Sequence, residues 1–312
     1  MTPDELLRSL RLPVVAAPMF LVSGPELVVA AARAGILGAF PTQNCRTAEQ
    51  LDEWLGTIAS GAGTAPWAVN LITHRTNRRL ADDLALVAEH QPPVVITALG
   101  SPRPVMEAVK AYGGLVVADV IDLVLARKAV EAGVDGLACI SAGAGGHTGH
   151  LSPFAFVSAV RELFDGLVTV GGGIADGAGV AGAVAAGADL VYMGTRFLAT
   201  TESRAADAYK QMVVEHGPDD LVVSDGITGA DASWLRPSLI AHGLDPDRPR
   251  GDAVRDYDVA VSEAKRWSQL WAAGQGLQSI RSVSPVAEVV DELEREFRTA
   301  ADRLGRIAHR PH

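Results

Sequence analysis

No apolar run in the 312-residue chain is as long as a membrane span, which takes about 20 predominantly apolar residues. The opening MTPDELLRSLRLP lacks the basic start and apolar core of a secretory signal. Cysteine is scarce. Cys45 and Cys139 are the only two, both in apolar or strand-like surroundings, which suits small buried residues in a reducing compartment better than a disulfide framework. These absences predict a cytoplasmic protein. Surplus positive charge is missing too: 27 Lys and Arg stand against 37 Asp and Glu, a formal charge of −10. Nucleic acid selects the opposite sign, so it is excluded as a partner. What remains, 48% hydrophobic and 21% charged, is a globular composition long enough for one large domain or two average ones.

That composition is laid out as an alternation. VVAAPM from Val14, ILGAF from Ile36, WAVNLI from Trp67, VVITALG from Val94, LVVADV from Leu115, GLACIS from Gly136, LVTVGGGI from Leu167 and LVYMGTRF from Leu190 read as strands. They are nearly continuous apolar runs, as expected of parallel strands covered on both faces. Between them lie helical patterns, several ending in glycine, such as PELVVAAARAG and TAEQLDEWLGTIASG. Eight such units predict an α/β fold, a (β/α)8 TIM barrel; a doubly wound sheet would not need eight even units. After Gly217 the pattern breaks. Residues 218–276, which include ITGADASWLRPSLIAHG, DPDRPRGD and SEAKRWSQLWAAGQG, are expected to form a mostly helical cap. Residues 1–217 plus 277–312 form the barrel, with a C-terminal helix from Pro285 to about Arg306.

In such barrels the site lies at the C-terminal ends of the strands, and those ends are unusual here. The first strand runs into Ala17-Pro18-Met19-Phe20, the third is expected to end at Asn70, and the sixth enters AGAGGHTGH, residues 142–150. The seventh ends in Gly171-Gly172-Gly173-Ile174 and the eighth in Met193-Gly194-Thr195-Arg196. Loops after the last two strands commonly hold a phosphate, because bare backbone N–H groups point at the anion. Glycines that merely permit tight turns are the competing explanation; the two loops in the right order favour a phosphate site. His147 sits inside the glycine loop, where a group titrating near neutrality can serve as a base. With His150 it forms a His-x-x-His pair, but no Cys or acidic third ligand lies nearby, so no metal is expected.

On these residues the chain resembles the nitronate monooxygenase family, formerly 2-nitropropane dioxygenases, which are FMN-dependent TIM-barrel enzymes. The resemblance runs through APMFLVS, VNL at Asn70, AGAGGH, GGGI at Gly171, GTRF at Gly194 and AGQG at Gly274. It implies FMN with its phosphate on the backbone of Gly172, Gly173, Gly194 and Thr195. Ala17, Pro18 and Met19 would back the ring, and Asn70, Asp119, Ala144, Gly145 and Gln275 complete the flavin site. His147 would be the catalytic histidine, taking a proton from the carbon that bears a nitro group or orienting a nitronate. The implied partners are a nitronate or nitroalkane and O2; barrel enzymes often associate, which leaves a homodimer open.

Two departures qualify the resemblance. Relatives read G-x-E-A-G-G-H before the histidine, whereas Gly143 stands here where the glutamate would be. Strand five ends at Asp119, where many relatives place Ser, Thr or Lys; a carboxylate anion beside flavin N1 would disfavour the reduced anion, which leaves three readings open: Asp119 contacts the flavin, points away, or binds something else. The segments FPTQNCRT, VNLITHRTNRRL and SAGAGGHTGHLSPF are closer to a subgroup that resembles NADH:quinone reductases. There NADH would reduce FMN and a quinone would take the electrons, with Thr73–Arg79 as a mobile loop offering Arg and His to a pyrophosphate. That loop reads equally well as a helix start with Asn77 as its N-cap. A flavin-binding protein without turnover is the alternative of another class. A barrel like IMP dehydrogenase would need a catalytic cysteine after strand six, where this chain offers His147.

Overall fold

The computed structural model describes residues 1–247 and 269–309. Its parallel strands are β1 Val14–Ala16, β2 Leu37–Pro41, β3 Trp67–Ile72, β4 Val94–Ala98, β5 Leu115–Val120 and β6 Gly136–Ile140. A two-residue strand, β7 Gly146–His147, lies in the loop after β6, and β8 Leu167–Gly171 and β9 Leu190–Met193 follow. All but β7 close into one barrel in sequence order, with β9 pairing back onto β1. This is the (β/α)8 TIM barrel that the alternation predicts. Helices Pro25–Ala34, Ala48–Ala62, Leu80–His90, Arg103–Ala111, Leu123–Glu131, Pro153–Arg161 and Gly177–Ala185 lie between successive strands.

The continuous apolar runs follow from the pleat, which sends alternate side chains to opposite faces of a strand. Val15, Leu37, Ala68, Ile96, Val117, Ala138, Leu167 and Leu190 pack inside the barrel. Their neighbours Val14, Phe40, Val69, Val95, Val116, Leu137, Val168 and Val191 pack outward against the helices. Both faces are buried through this layer, which keeps both apolar there. Capping follows the same local logic: Thr47, Asp122, Ser152 and Asp176 each accept a backbone N–H at a helix start.

A short helix, Pro3–Ser9, precedes the barrel and has no counterpart in the sequence expectations. Its start is a capping box: Thr2 Oγ1 accepts from the Glu5 N–H and Glu5 Oε2 accepts from the Thr2 N–H. Leu6, fully buried, joins the inner cluster with Val15 and Leu37 and plugs the barrel.

Three boundaries differ from expectation. Asn70 lies inside β3, not at its end, because the ladder to β4 continues through Leu71 and Ile72. Asn77 does not cap the fourth helix, whose N-cap is Arg79; the Asn77 side chain donates to the Ile72 carbonyl and accepts from the Arg79 N–H. After Gly217 the expected helical cap makes one 3-10 turn, Pro218–Asp220, and then runs into strands β10 Leu221–Ser224 and β11 Ala232–Leu235. LVVS and ASWL flank a turn-rich DGITGAD, which favours a hairpin over a helix. A helix, Arg236–Ala241, does follow. Most of the expected helix in SEAKRWSQLWAAGQG lies outside the described residues, and its tail, 270–274, is extended. The C-terminal helix is Val286–Ala308.

Leu6→Ala would empty a closed, fully buried site, and cavities of that kind cost about 2–5 kcal/mol. Denaturant unfolding should show a loss in that range without a change in m-value.

Candidate active site

The glycine loop after β6 is a closed excursion. It leaves at Ser141, whose N–H donates to the Gly171 carbonyl, and returns at Gly149, where an added Cβ would lie 2.2 Å from the Ile140 carbonyl oxygen. Thr148 Oγ1 donates to the Ser141 carbonyl across the neck, and the Ala142 N–H donates to the Leu151 carbonyl. The tip is fixed from above. Gly146 and His147 form β7, paired antiparallel to Ser233 and Ala232 of β11. His147 thus projects from a hydrogen-bonded strand rather than a free loop, and its Nε2 is buried.

A second segment lies on the same loop. Trp271 donates its N–H to Ser238 Oγ and accepts at its carbonyl from the Leu235 N–H at 2.8 Å. Ser233 Oγ donates to the Ala273 carbonyl, and Tyr209 stacks on Trp271 with ring centres 5.0 Å apart while its hydroxyl bonds to Ala272. These bonds hold 271–273 extended and deliver Gly274 and Gln275 to the barrel mouth. The Gln275 N–H donates to the Gly143 carbonyl, and the Gly274 N–H donates to Thr195 Oγ1. A Cβ on Gly145 would lie 2.6 Å from the Gly274 nitrogen, and one on Gly143 would lie 2.8 Å from Gln275 Oε1. Gly145 is therefore required by backbone packed on backbone, and Gly143 and Gly146, at φ of +88° and +68°, by their conformation.

The turns after β8 and β9 complete the ring. Gly172 and Gly173 have φ of +146° and +69°, which side-chain-bearing residues avoid. A Cβ on Gly172 would lie 2.6 Å from the Ala142 carbonyl, and one on Gly173 would touch Gln275. Gly194 is the N-cap of a short helix, Thr195–Leu198, and makes no side-chain cap bond. The Met19 sulfur lies beside Gly194, and the Ala17 N–H donates to the Met193 carbonyl. The loop carrying Ala17, Pro18 and Met19 is braced by Asn44, whose side chain donates to the Met19 and Ser23 carbonyls and accepts from the Leu21 N–H.

Below the mouth the inner face turns polar. By strand alternation Asn70, Asp119, Thr169 and Tyr192 take inward positions above the apolar layer. Asn70 donates to the Ile96 carbonyl at 3.4 Å. Asp119 Oδ1 and the Tyr192 hydroxyl are buried and find no partner among the described residues. Burial alone pushes the Asp119 carboxyl from its ordinary 3.8 up to about 7. The Tyr192 hydroxyl is raised further above its usual range, by burial first and by the Asp119 charge second.

The remaining expected residues lie apart. His150 is exposed. Arg79 donates to Asp83 and to the Cys45 carbonyl, so the Thr73–Arg79 loop is anchored at that end. Both cysteines are buried, with thiols pushed up to about 12 chiefly by burial. Sequence reasoning missed Asn44, Tyr209, Ser233 and Trp271, which act by bracing the mouth and carry no motif of their own. The short β run ASWL was the one available signal for β11.

Residues 47–296 match the family model described as nitronate monooxygenase. A nitronate monooxygenase from Paraburkholderia phytofirmans is 29% identical, over 95% of each chain. A 5-hydroxy-7a-methyl-1-oxo-octahydro-1H-indene-4-carboxyl-CoA dehydrogenase from Mycobacterium tuberculosis is 30% identical, over 81% of this chain and 71% of its own. Among solved structures, FabK from Thermotoga maritima superposes with a TM-score of 0.82 at 26% identity, covering 96% of this chain and 97% of its own. A nitroalkane oxidase from Streptomyces ansochromogenes gives 0.81 at 27%, covering 96% and 99%.

Three outcomes follow. Gly149→Ala forces a methyl onto the Ile140 carbonyl and should cost about 1–3 kcal/mol of stability by denaturant unfolding. Gly217→Ala, with open space at that position, should stay within about 0.5 kcal/mol of the parent. For Asp119 the sign is set by a raised folded value. The native chain holds the proton that the unfolded chain has lost between about pH 4 and 7, so its stability falls as pH rises through that window. Cofactor-free Asp119→Asn should therefore gain in melting temperature over the parent from pH 4 to 7, with a constant advantage above it.

Proposed function

The chain belongs to the nitronate monooxygenase family of flavin-dependent oxidoreductases, and from that premise we propose that it uses FMN to oxidise nitronates or nitroalkanes with O2. What carries the reading is the convergence of a buried His147 nitrogen with two bare glycine turns at one barrel mouth.

The mouth fits a flavin phosphate by its backbone. Gly172 and Gly173 adopt positive φ and bring no side chains of their own to the turn, which suits peptide N–H groups that would hold an anion. Gly194 and Thr195 open a short helix whose first N–H groups have no intrahelical acceptor. These four residues would hold the phosphate. Ala17, Pro18, Met19, Asn70, Ala144, Gly145 and Gln275 would frame the ring, with Asp119 on the inner wall. FMN supplies the electron-accepting ring and its reaction with O2.

His147 has the protein's part of the chemistry. Pairing of β7 with β11 fixes its backbone, so the imidazole is presented to the mouth at little further entropic cost. A neutral ring nitrogen there takes the proton from a nitroalkane carbon, or holds the nitronate oxygens by hydrogen bonds once it is charged. NADH:quinone reduction at the same flavin is the second reading. Engagement of Arg79 by Asp83 removes one cation of the Thr73–Arg79 loop from a pyrophosphate, which favours the nitronate reading.

Anaerobic mixing decides between them. Propionate 3-nitronate should bleach the flavin's visible absorbance while NADH leaves it unchanged; bleaching by NADH with reoxidation by benzoquinone would establish the quinone reductase instead. His147→Ala should retain FMN and lose on the order of 10²-fold or more in nitroalkane turnover. Colourless protein that FMN cannot reconstitute would remove the cofactor assignment.

A further inference from the structure

The fold leaves two groups at the mouth unfinished. Asp119 Oδ1 and the Tyr192 hydroxyl are both buried and both lack a hydrogen-bond partner among the described residues. They come from different strands, β5 and β9, at inward positions two residues beyond Val117 and Leu190 of the apolar inner layer. They are close enough for the Asp119 charge to act on the phenol. Leaving such a group unsatisfied is costly, and native interiors seldom do it twice in one place. Two orphaned groups beside one opening point to a ligand that completes them.

Building on the flavin reading above, we propose that Asp119 carries a proton at neutral pH and donates it in a hydrogen bond to an acceptor atom of the bound flavin, with the Tyr192 hydroxyl as a second donor beside it.

The chemistry of the donors requires the proton. An ionised carboxylate offers only acceptors, so it would face the carbonyl and imine acceptors of a flavin with like polarity. A protonated carboxyl offers one donor. Among the described residues no neighbouring group drives it to ionise: β4 brings Thr97 beside Ala118, β6 sets Ala138 opposite Asp119 with Cys139 next to it, and β9 brings Tyr192. The thiol and the phenol are themselves held neutral by burial. With no cation among these neighbours, loss of water favours the neutral acid, in keeping with the upward displacement to about 7. Asp119 is thus compatible with a flavin that an anion in its place would repel.

Such a proton makes binding depend on pH. Flavin affinity should fall as pH rises through the Asp119 midpoint, and a hydrogen bond that raises that midpoint by one unit gives about a tenfold change. The test uses the full chain stripped of flavin and titrated with FMN between pH 5.5 and 9 (approximate limits spanning the displaced carboxyl), following fluorescence quenching. Infrared difference spectra would be taken with and without FMN.

We expect the dissociation constant to rise about tenfold across that range in the parent and to stay within about twofold in Asp119→Asn. A protonated-carboxyl C=O band should be present at pH 6, shift when FMN binds, and vanish in Asp119→Asn. Tyr192→Phe should keep the band and weaken FMN binding several-fold. Asp119→Ser provides a second variant if the asparagine protein does not fold. FMN binding with the same pH response in parent and variant, or a band that FMN leaves unmoved, would overturn the proposal alone. Failure of FMN to bind at any pH would overturn the flavin reading and this proposal with it.

Discussion

The mouth of this barrel depends on backbone lying against backbone. Gly143 and Gly145 meet Gly274 and Gln275 with no space for a Cβ between them, and Gly172 meets Ala142 in the same way. Everything chemical at this end is hung from that contact. It aligns the loop after β6 with the turn after β8, ties Thr195 to Gly274, and leaves His147 to pair with β11. Such packing tolerates no added methyl group. It explains why a stretch almost devoid of side chains sits where the enzyme needs its most defined geometry.

Much of the fold was legible because each strand buries both faces and each helix buries one. Continuous runs such as LVVADV and amphipathic ones such as PELVVAAARAG leave little choice of element, and eight repeats leave little choice of architecture. The strand ends were legible for another reason: glycines at Gly172 and Gly173 announce a backbone that side chains cannot follow. Asn70 was misplaced by a few residues because asparagine is a poor strand former and reads as a terminus; a ladder to β4 on one side and β2 on the other overrides that preference.

The cap was harder, and the reason is physical. Trp271 and Ala272 belong to a sequence with helical periodicity, yet they lie extended because β11, Ser238 and Tyr209 supply hydrogen bonds that a helix would have supplied internally. Only tertiary contact decides that exchange, and no local pattern records it. The same holds for Asn44, an ordinary polar residue in sequence that braces the first loop from the turn after the neighbouring strand β2. Asp119 is intermediate. Its place on a strand was plain, but whether it turned inward and what burial does to its proton depended on the closed barrel around it.

The tie between Gly143 and Gln275 also bears on how the molecule is made. Contacts between segments so far apart in sequence are the slowest to form, because a long loop must close first. Synthesis proceeds from the N-terminus, so all eight barrel strands have been made before Trp271 is added. A nascent chain therefore passes through a stage in which all eight barrel strands exist and the segment that latches the rim does not. Opening energies should follow the same division, highest in the strand ladders and lowest where the late segment docks.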